Sequence, residues 1–445
     1  MSNTIKVGLL GCGTVGTGIL RILAENRSDI VARLGADIVI TKILVRDPDK
    51  ERDPAIPRAL LTTDPQEVFE SGPQIIVEVL GGYEPARSYM LAALGAGCHI
   101  VTANKALLAK HGAEIFRAAD EAKKDVIFEA SVGGGIPIIR TLREGLAADR
   151  IDSIHAIING TSNYMVTGMA TRGAAYQDVL AEAQAKGYAE ADPTMDVGGF
   201  DAAQKLSILI SVSFGVDIPF DQITTEGIDR LTPRDFAFAK QFGYQVKPLA
   251  VAKAHAPKDA NAADARIDIE ARVAPHLIPS DSMLAHTNGV FNAVRVHSHA
   301  LGPVLFYGQG AGMMPTAAAV VSDIIEAGRN IHRGTSGRLP HFAFHKDLVR
   351  PTGLAAAADS ECPFYLRFTV RDEPGVLAQL TTLLGAHQIS IRKMMQEQSE
   401  PGRPVPVVLL THQAREGSVR AALAGIDALP FVTEPTCYLR VEDIA

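Results

Sequence analysis

The stretch from Ile5 to Gly16 reads IKVGLLGCGTVG, and its two halves ask for different backbone. Ile5 to Leu10 is an apolar run interrupted only by Lys6 and ended by a glycine turn, the pattern of a strand covered on both faces. Ile19, Leu20, Ile22 and Leu23 then recur at helical spacing. Between them Gly11-Cys12-Gly13-Thr14-Val15-Gly16 makes a GxGxxG. Alone that motif is weak. Joining a buried strand to a helix, it supplies a tight turn, bare backbone N–H groups and a helix N-terminus, which together suit a pyrophosphate. Gly11, Gly13, Thr14, Val15 and Gly16 are therefore read as a dinucleotide cradle, with a plain turn as the alternative.

Working outward, the next strand, Ile38 to Val45, ends in Arg46, where an NAD-preferring site would often place an acid on the ribose hydroxyls. Arg46, with Lys50 nearby, leans toward NADP, the adjacent Asp47 keeps NAD open, and a solvated surface arginine is the plain alternative. Further strands are expected at Ile75 to Val79, His99 to Thr102 and Val126 to Phe128, each after a helical stretch. That alternation implies an α/β fold with a Rossmann-type doubly wound parallel sheet. Ligands of such sheets sit beyond the carboxyl ends of the strands. Leu80-Gly81-Gly82 and Thr102-Ala103-Asn104-Lys105 fall there, so Lys105 is either a cofactor or substrate contact or a solvated loop lysine. Glu129 and Ser131-Val132-Gly133-Gly134-Gly135-Ile136-Pro137 offer one carboxylate and closely spaced carbonyls, which suit a hard cation or form a hinge.

A second, mixed α/β domain is expected over 136–307, after a dinucleotide domain at 1–135 that about 308–350 completes. It opens with an alternating strand, Ile151 to Ile158, and the polar turn Asn159-Gly160-Thr161-Ser162-Asn163-Tyr164. The segment Gly187 to Lys205, GYAEADPTMDVGGFDAAQK, brings four carboxylates and a lysine to the entry of a helix starting near Phe200. Asp201 and Lys205 are four apart and share a face with Ile208, Leu209 and Val212, so the lysine is poised for proton transfer. The alternative is a surface ion pair worth only ~0.3–0.5 kcal/mol. Val251 to Ala265 reads as an exposed loop, and Ile267 to Val273 and Val290 to Val296 as strands. His297 and His299, an HxH at a strand end, read as structural. Gly308-Gln309-Gly310-Ala311-Gly312 opens an alanine-rich helix, Thr316 to Ala327, that could return to the first domain.

After a linker at 351–362, residues 363–445 alternate as βαββαβ, a small ferredoxin-like unit. Asp372-Glu373-Pro374-Gly375-Val376-Leu377 lies at its first strand-to-helix turn. Such a tail is expected to be separable, so that truncation near Gly353 leaves catalysis in place.

The length, 445 residues, allows about three domains. A net charge of −7 without a long basic run argues against nucleic acid or an anionic membrane as partner. No window has the apolar length of a membrane span, and the start lacks a signal-peptide pattern, so the cytoplasm is expected. The four cysteines, Cys12, Cys98, Cys362 and Cys437, show no CxxC spacing and read as buried reduced thiols.

GCGTVG, TANKA, EASVGGGIPII, NGTSNY, GYAEADPTMDVGGFDAAQKL and YGQGAG, in that order, resemble the landmarks of the homoserine dehydrogenase family, and DEPGVL resembles the ligand turn of an ACT domain. The resemblance covers nearly the whole chain. It implies reversible NAD(P)-dependent interconversion of L-homoserine and L-aspartate 4-semialdehyde, on the route to threonine, isoleucine and methionine. It further implies Lys205 as proton donor with Asp201 orienting it, and Lys105 between nicotinamide and substrate. Glu190 would bind the substrate ammonium, with Asp196, Thr161 and Tyr188 as neighbours, and Gly187 and Gly310 would touch cofactor. Glu129 with the carbonyls of Val132, Gly134 and Ile136 resembles the family's sodium site. Asp372, Gly375, Val376 and Leu377 would take an amino-acid effector such as threonine, in a homodimer or homotetramer.

Overall fold

β1 (Thr4–Leu10), β2 (Asp37–Leu44), β3 (Leu61–Thr62), β4 (Ile75–Glu78), β5 (His99–Thr102) and β6 (Val126–Ile127) form an all-parallel sheet in the order β3-β2-β1-β4-β5-β6. Every residue of β4 and β5 is buried, which is why their apolar residues, Ile75-Ile76-Val77 and Ile100-Val101, are consecutive rather than alternating. The order reverses between β1 and β4, and the glycine loop leaves β1 at that crevice. The computed structural model describes residues 4–54, 56–255, 267–345, 352–396 and 403–444.

The chain forms two compact units: Met1–Asp152 with Ala203–Gln222 and Phe291–Val349, and Ser153–Ala202 with Ile223–Val290 and Arg350–Ala445. This division differs from the expected one, because the tail groups with the middle of the chain. In the first unit the helix Met313–Arg333 sends Ala317, Val320, Val321 and Ile324 into one core with Ile5, Val7, Leu9 and Ile19. Close approach is possible because Gly18 lacks a Cβ, which would stand 2.8 Å from the Met313 carbonyl oxygen.

In the second unit β7 (Ile151–Ile157) pairs antiparallel with β9 (Tyr244–His255), and β9 with β10 (Ile267–Pro279), which also takes the short β8 (Thr224–Thr225). The expectation of a loop from Val251 fails over its first part. Val251 to His255 pair with Arg272 to Asp268, so cross-strand partners override a composition rich in Ala and Lys; 256–265 lie outside the described residues. The first unit's hairpin follows, β11 (Phe291–Ser298) antiparallel to β12 (Gly302–Gln309).

The tail opens with β13 (Thr352–Leu354), parallel to β10, and β14 (Glu361–Cys362), so the segment expected to be a linker carries two short strands. β15 (Phe364–Val370), β16 (Ile391–Gln396), β17 (Val405–Thr411), β18 (Ala414–Arg415, paired with β14) and β19 (Val432–Val441) follow. β19, β15, β17 and β16 form an antiparallel ferredoxin-like sheet in that order. This sheet continues the middle one, because β19 pairs with β10 through His276–Arg440 and Leu277–Val441. Tyr365, Val408, Leu410, Leu439 and Val441 share a core with Met165, Val166, Phe236 and Phe238.

Candidate active site

In the first unit the glycines of the loop after β1 do three different jobs. Gly11 has φ +103°, and a Cβ there would stand 2.9 Å from the Val79 carbonyl oxygen. A Cβ on Gly16 would stand 2.6 Å from the Gly11 oxygen, so the helix Thr14–Glu25 can start only this close to the strand without a side chain. Gly13 is exposed, with open space where its Cβ would be, leaving bare backbone for a ligand. Thr14 and Val15 begin the helix. Arg46 and Lys50 are exposed, whereas the Asp47 carboxylate accepts from its own turn, from the N–H of Asp49 at 2.9 Å and of Lys50 at 3.2 Å. Arg52 donates to the carbonyls of Cys12 and Asp47, each at 2.8 Å, tying the glycine loop to the loop after β2.

Glu78, at the carboxyl end of β4 and fully buried, organises the same edge. It accepts from the Thr102 hydroxyl at 2.7 Å, from the N–H groups of Leu80 at 2.8 Å and Gly81 at 3.2 Å, and from the Asn104 amide at 3.4 Å. Burial pushes its carboxyl above the usual range, against those hydrogen bonds. Asn104 also donates to the Gly82 carbonyl at 2.8 Å and caps the helix Lys105–Ala122 through the Leu107 N–H. Half-buried Lys105 is thereby fixed at the first position of that helix.

The two glycine-rich loops further along are interlocked. Gly135 N–H donates to the Gln309 carbonyl at 3.2 Å, a Cβ on Gly134 would stand 2.6 Å from the Gly310 oxygen, and one on Gly310 would overlap the Asn292 amide. Glu129 is buried; its carboxylate accepts from the N–H groups of Ile139 at 2.8 Å and Arg140 at 2.7 Å, and burial pushes it above the usual carboxylate range. Val132, Gly134 and Ile136 are buried beside it in sequence, and the Ile136 carbonyl accepts from Ile138 N–H at 2.8 Å. His297 Nδ1 lies 3.8 Å from Asp152, and among the described residues no group of three or more His, Cys, Asp or Glu is placed to hold a metal.

In the second unit the turn after β7 gathers the acid segment. The Asn159 side chain caps the helix Gly160–Arg172 by accepting from Ser162 N–H at 2.8 Å, and its amide donates to Asp196 at 2.7 Å and to Asp201 at 2.8 Å. Thr161 donates to the Tyr188 carbonyl at 2.6 Å, and Ser162 to the Asp196 carbonyl at 2.9 Å. Gly187 turns with φ +73°, the Tyr188 ring lies 5.0 Å from that of Tyr164, and Glu190 is exposed. The helix Phe200–Phe214 carries Asp201 and, one turn on, Lys205, both half-buried. Its polar residues Gln204, Ser207 and Ser211 are buried as well, the serine hydroxyls returning to the carbonyls of Gln204 at 2.9 Å and Ser207 at 3.0 Å.

In the tail, Asp372 and Gly375 are exposed, Gly375 has φ +89°, and Leu377 is half-buried. The Val376 side chain is buried in the tail core and its N–H donates to the Glu373 carbonyl at 3.3 Å.

Glu78, Arg52 and Asn292 are not marked by any motif of the sequence, and Asn159 is visible only as the first residue of the polar turn NGTSNY, because its carboxylate partners lie 37 and 42 residues away along the chain.

Three family models match: "Homoserine dehydrogenase, NAD binding domain" over residues 11–129, "Homoserine dehydrogenase" over 137–325 and "ACT domain" over 364–428. The homoserine dehydrogenase of Pseudomonas aeruginosa is 44% identical over 444 residues, covering 99% of each chain, and that of Neisseria gonorrhoeae 42% identical, again covering 99% of each. A crystal structure of a homoserine dehydrogenase from Thiobacillus denitrificans superposes with a TM-score of 0.90 at 44% identity, covering 99% of this chain and 98% of that one. A hyperthermophilic archaeal homoserine dehydrogenase in complex with NADPH covers 73% of this chain and 97% of its own, with a TM-score of 0.59 at 28% identity.

Proposed function

This chain belongs to the homoserine dehydrogenase family, and from that membership we propose a division of labour among its residues. It is an NAD(P)-dependent oxidoreductase acting on a CH–OH group, interconverting L-homoserine and L-aspartate 4-semialdehyde on the route to threonine, isoleucine and methionine. It carries a nicotinamide-binding domain and an ACT domain. The observation that carries the residue assignment is the convergence of Asp196 and Asp201 on one amide, one helical turn before Lys205.

When bound, the nicotinamide cofactor supplies hydride to the aldehyde carbon or accepts it from the alcohol. Lys205 then gives its ammonium proton to the developing alkoxide, or takes it back in the oxidative direction, and Asp201 orients it. Glu190, Asp196, Thr161 and Tyr188 hold the amino acid, the carboxylates suiting its ammonium. Lys105, fixed by the capped helix start, sits against cofactor and substrate. Gly11, Gly13, Thr14, Val15, Gly16, Gly187 and Gly310 would hold the cofactor. NADP is the preferred form on this reading: Arg46 is free to meet a 2′-phosphate, the Asp47 carboxylate is committed to its own turn, and the archaeal relative was solved with NADPH.

Glu129 with the carbonyls of Val132, Gly134 and Ile136 would hold a sodium ion. Hard oxygen donors suit it, and its charge would relieve the desolvation of a buried carboxylate. The Asp372–Leu377 turn would take a small amino acid, threonine first, through the exposed Asp372 and Gly375 and in a homodimer or homotetramer. A cytoplasmic site of action fits four free cysteines and a soluble cofactor, and among the described residues no helix is long and apolar enough to cross a membrane.

The test is homoserine-dependent reduction of NADP and NAD by the purified chain, each with and without sodium and threonine. Faster turnover with NAD would overturn the Arg46 assignment, and unchanged rates with sodium and threonine would remove those two ligands.

A further inference from the structure

We propose that Asn159 is a positioning residue of the reaction, one whose amide sets the spacing and the protonation of the Asp196–Asp201 pair. The proposal rests on the reading above that these carboxylates serve substrate and Lys205.

A helix cap needs only an acceptor, and Asp, Ser or Thr would meet the Ser162 N–H about as well as Asn does. Among these cap residues only asparagine combines that acceptor with two donors. Both donors are used here, toward Asp196 at 2.7 Å and toward Asp201 at 2.8 Å, while the oxygen takes Ser162 N–H at 2.8 Å. The amide orientation follows from its partners, since the reverse assignment would set its oxygen against two carboxylates and its nitrogen against an N–H. Asn159 is 7% exposed and the two carboxylates are half-buried, so these bonds are partly sheltered from water.

Two acceptors on one nitrogen are thereby held close together. Two carboxylates gathered on one amide repel each other, and charge-assisted hydrogen bonds from that amide to both offset the repulsion. Asn159 thus holds the two carboxylates side by side. It also fixes Asp201 at the helix entry, one turn before Lys205. The turn holds the backbone of the acid segment by separate means, the hydroxyls of Thr161 and Ser162 on the carbonyls of Tyr188 and Asp196.

Two variants separate the cap from the bridge. Asn159→Asp keeps the shape and the cap acceptor but turns two donors into a third carboxylate, and Asn159→Ser keeps a cap without the reach. The measurements are thermal melting, NADPH affinity by fluorescence, and the pH dependence of kcat/KM for homoserine. In Asn159→Asp the acid limb should move up by about one pH unit or more, and by less in Asn159→Ser, with NADPH affinity within about twofold of the parent. Acid limbs unmoved in both variants would reduce Asn159 to a helix cap and overturn the proposal, whatever happens to melting. If neither variant folds, Asn159→Thr, a natural cap with the same missing donors, is put through the same profile and decides by the same criterion. Asp196→Asn and Asp201→Asn in the parent chain test the underlying reading separately: parental kinetics in both would mean that the carboxylates are outside the machinery.

Discussion

Removing residues 355–445 should cost the enzyme its fold rather than only its regulation. Five tail side chains, Tyr365, Val408, Leu410, Leu439 and Val441, complete a core whose other members, Met165, Val166, Phe236, Phe238 and Leu277 among them, belong to the middle of the chain. At ~1.5–3 kcal/mol for each large side chain buried, the shared contact is worth roughly 7–15 kcal/mol, as much as the whole stability of an ordinary domain. Polar groups would lose partners at the same time. Asp235, fully buried, accepts from Arg367 at 2.6 Å and from the Tyr365 hydroxyl at 3.0 Å. Glu226 is held by Arg440 at 2.8 and 3.1 Å, and Glu442 joins Lys253 at 2.7 Å to His155 at 3.2 Å. The edge of β10 would also lie open where β19 now pairs with it. The assay is soluble yield, sedimentation and circular dichroism of the truncated chain beside the full one. A truncated protein that is soluble, melts cooperatively within about 5 °C of the parent and turns over homoserine at a similar rate would refute the reasoning and restore the tail as a detachable module.

Lys205→Ala should abolish turnover while NADPH still binds, if Lys205 is the proton donor proposed above; activity within about tenfold of the parent, ~1.4 kcal/mol of barrier, would remove it from that role. Arg46→Ala should weaken NADP far more than NAD in steady-state kinetics, and equal loss with both would point to damage of the fold. Stability should fall in acid. Burial opposes the charges of Glu226 and Glu270, but Arg440 beside the first, and His255 and Arg272 beside the second, hold both carboxyls down at about 2. Because these folded-state values lie below the ordinary ~4.3, the stabilisation is complete above that pH and is lost as pH falls toward 2, on the order of 3 kcal/mol for each group. Melting temperatures that stay level between pH 5 and pH 2.5 would contradict this.

What the sequence made legible follows from how local each signal is. β1 and its glycine loop could be read because a strand covered on both faces leaves an apolar run, here unbroken from Val7 to Leu10, and because Gly11 and Gly16 answer to backbone atoms within the same motif or just beyond the adjoining strand. The βαββαβ tail was readable for the same reason, each of its strands and helices carrying its own period. Val251 to His255 was misread because its strand character comes from β10 across the sheet, not from its Ala and Lys content. The tail was expected to stand apart because composition around 351–362 resembles a linker, whereas Arg440 and Glu442 meet partners far back in the chain. The acid segment was conspicuous, but nothing in it announces the amide that gathers it. Glu78 likewise looks like the end of an apolar strand until Thr102, Asn104, Leu80 and Gly81 are seen to converge on it.

The helix Met313–Arg333 has a consequence for how the protein is made. Its side chains complete the core around β1, and Asp323 accepts from the Glu129 N–H at 2.9 Å, so the first 152 residues leave the ribosome as an unfinished fold. Synthesis at roughly 5–20 residues per second keeps them waiting on the order of ten to forty seconds for that helix. Chains stalled near residue 300 should be open to protease in the nucleotide domain, and chains stalled far enough beyond Arg333 for it to clear the exit tunnel should be protected. The cell must therefore shelter a parallel sheet whose core is still incomplete, with β6 of only two residues at one edge, through the synthesis of nearly half the chain.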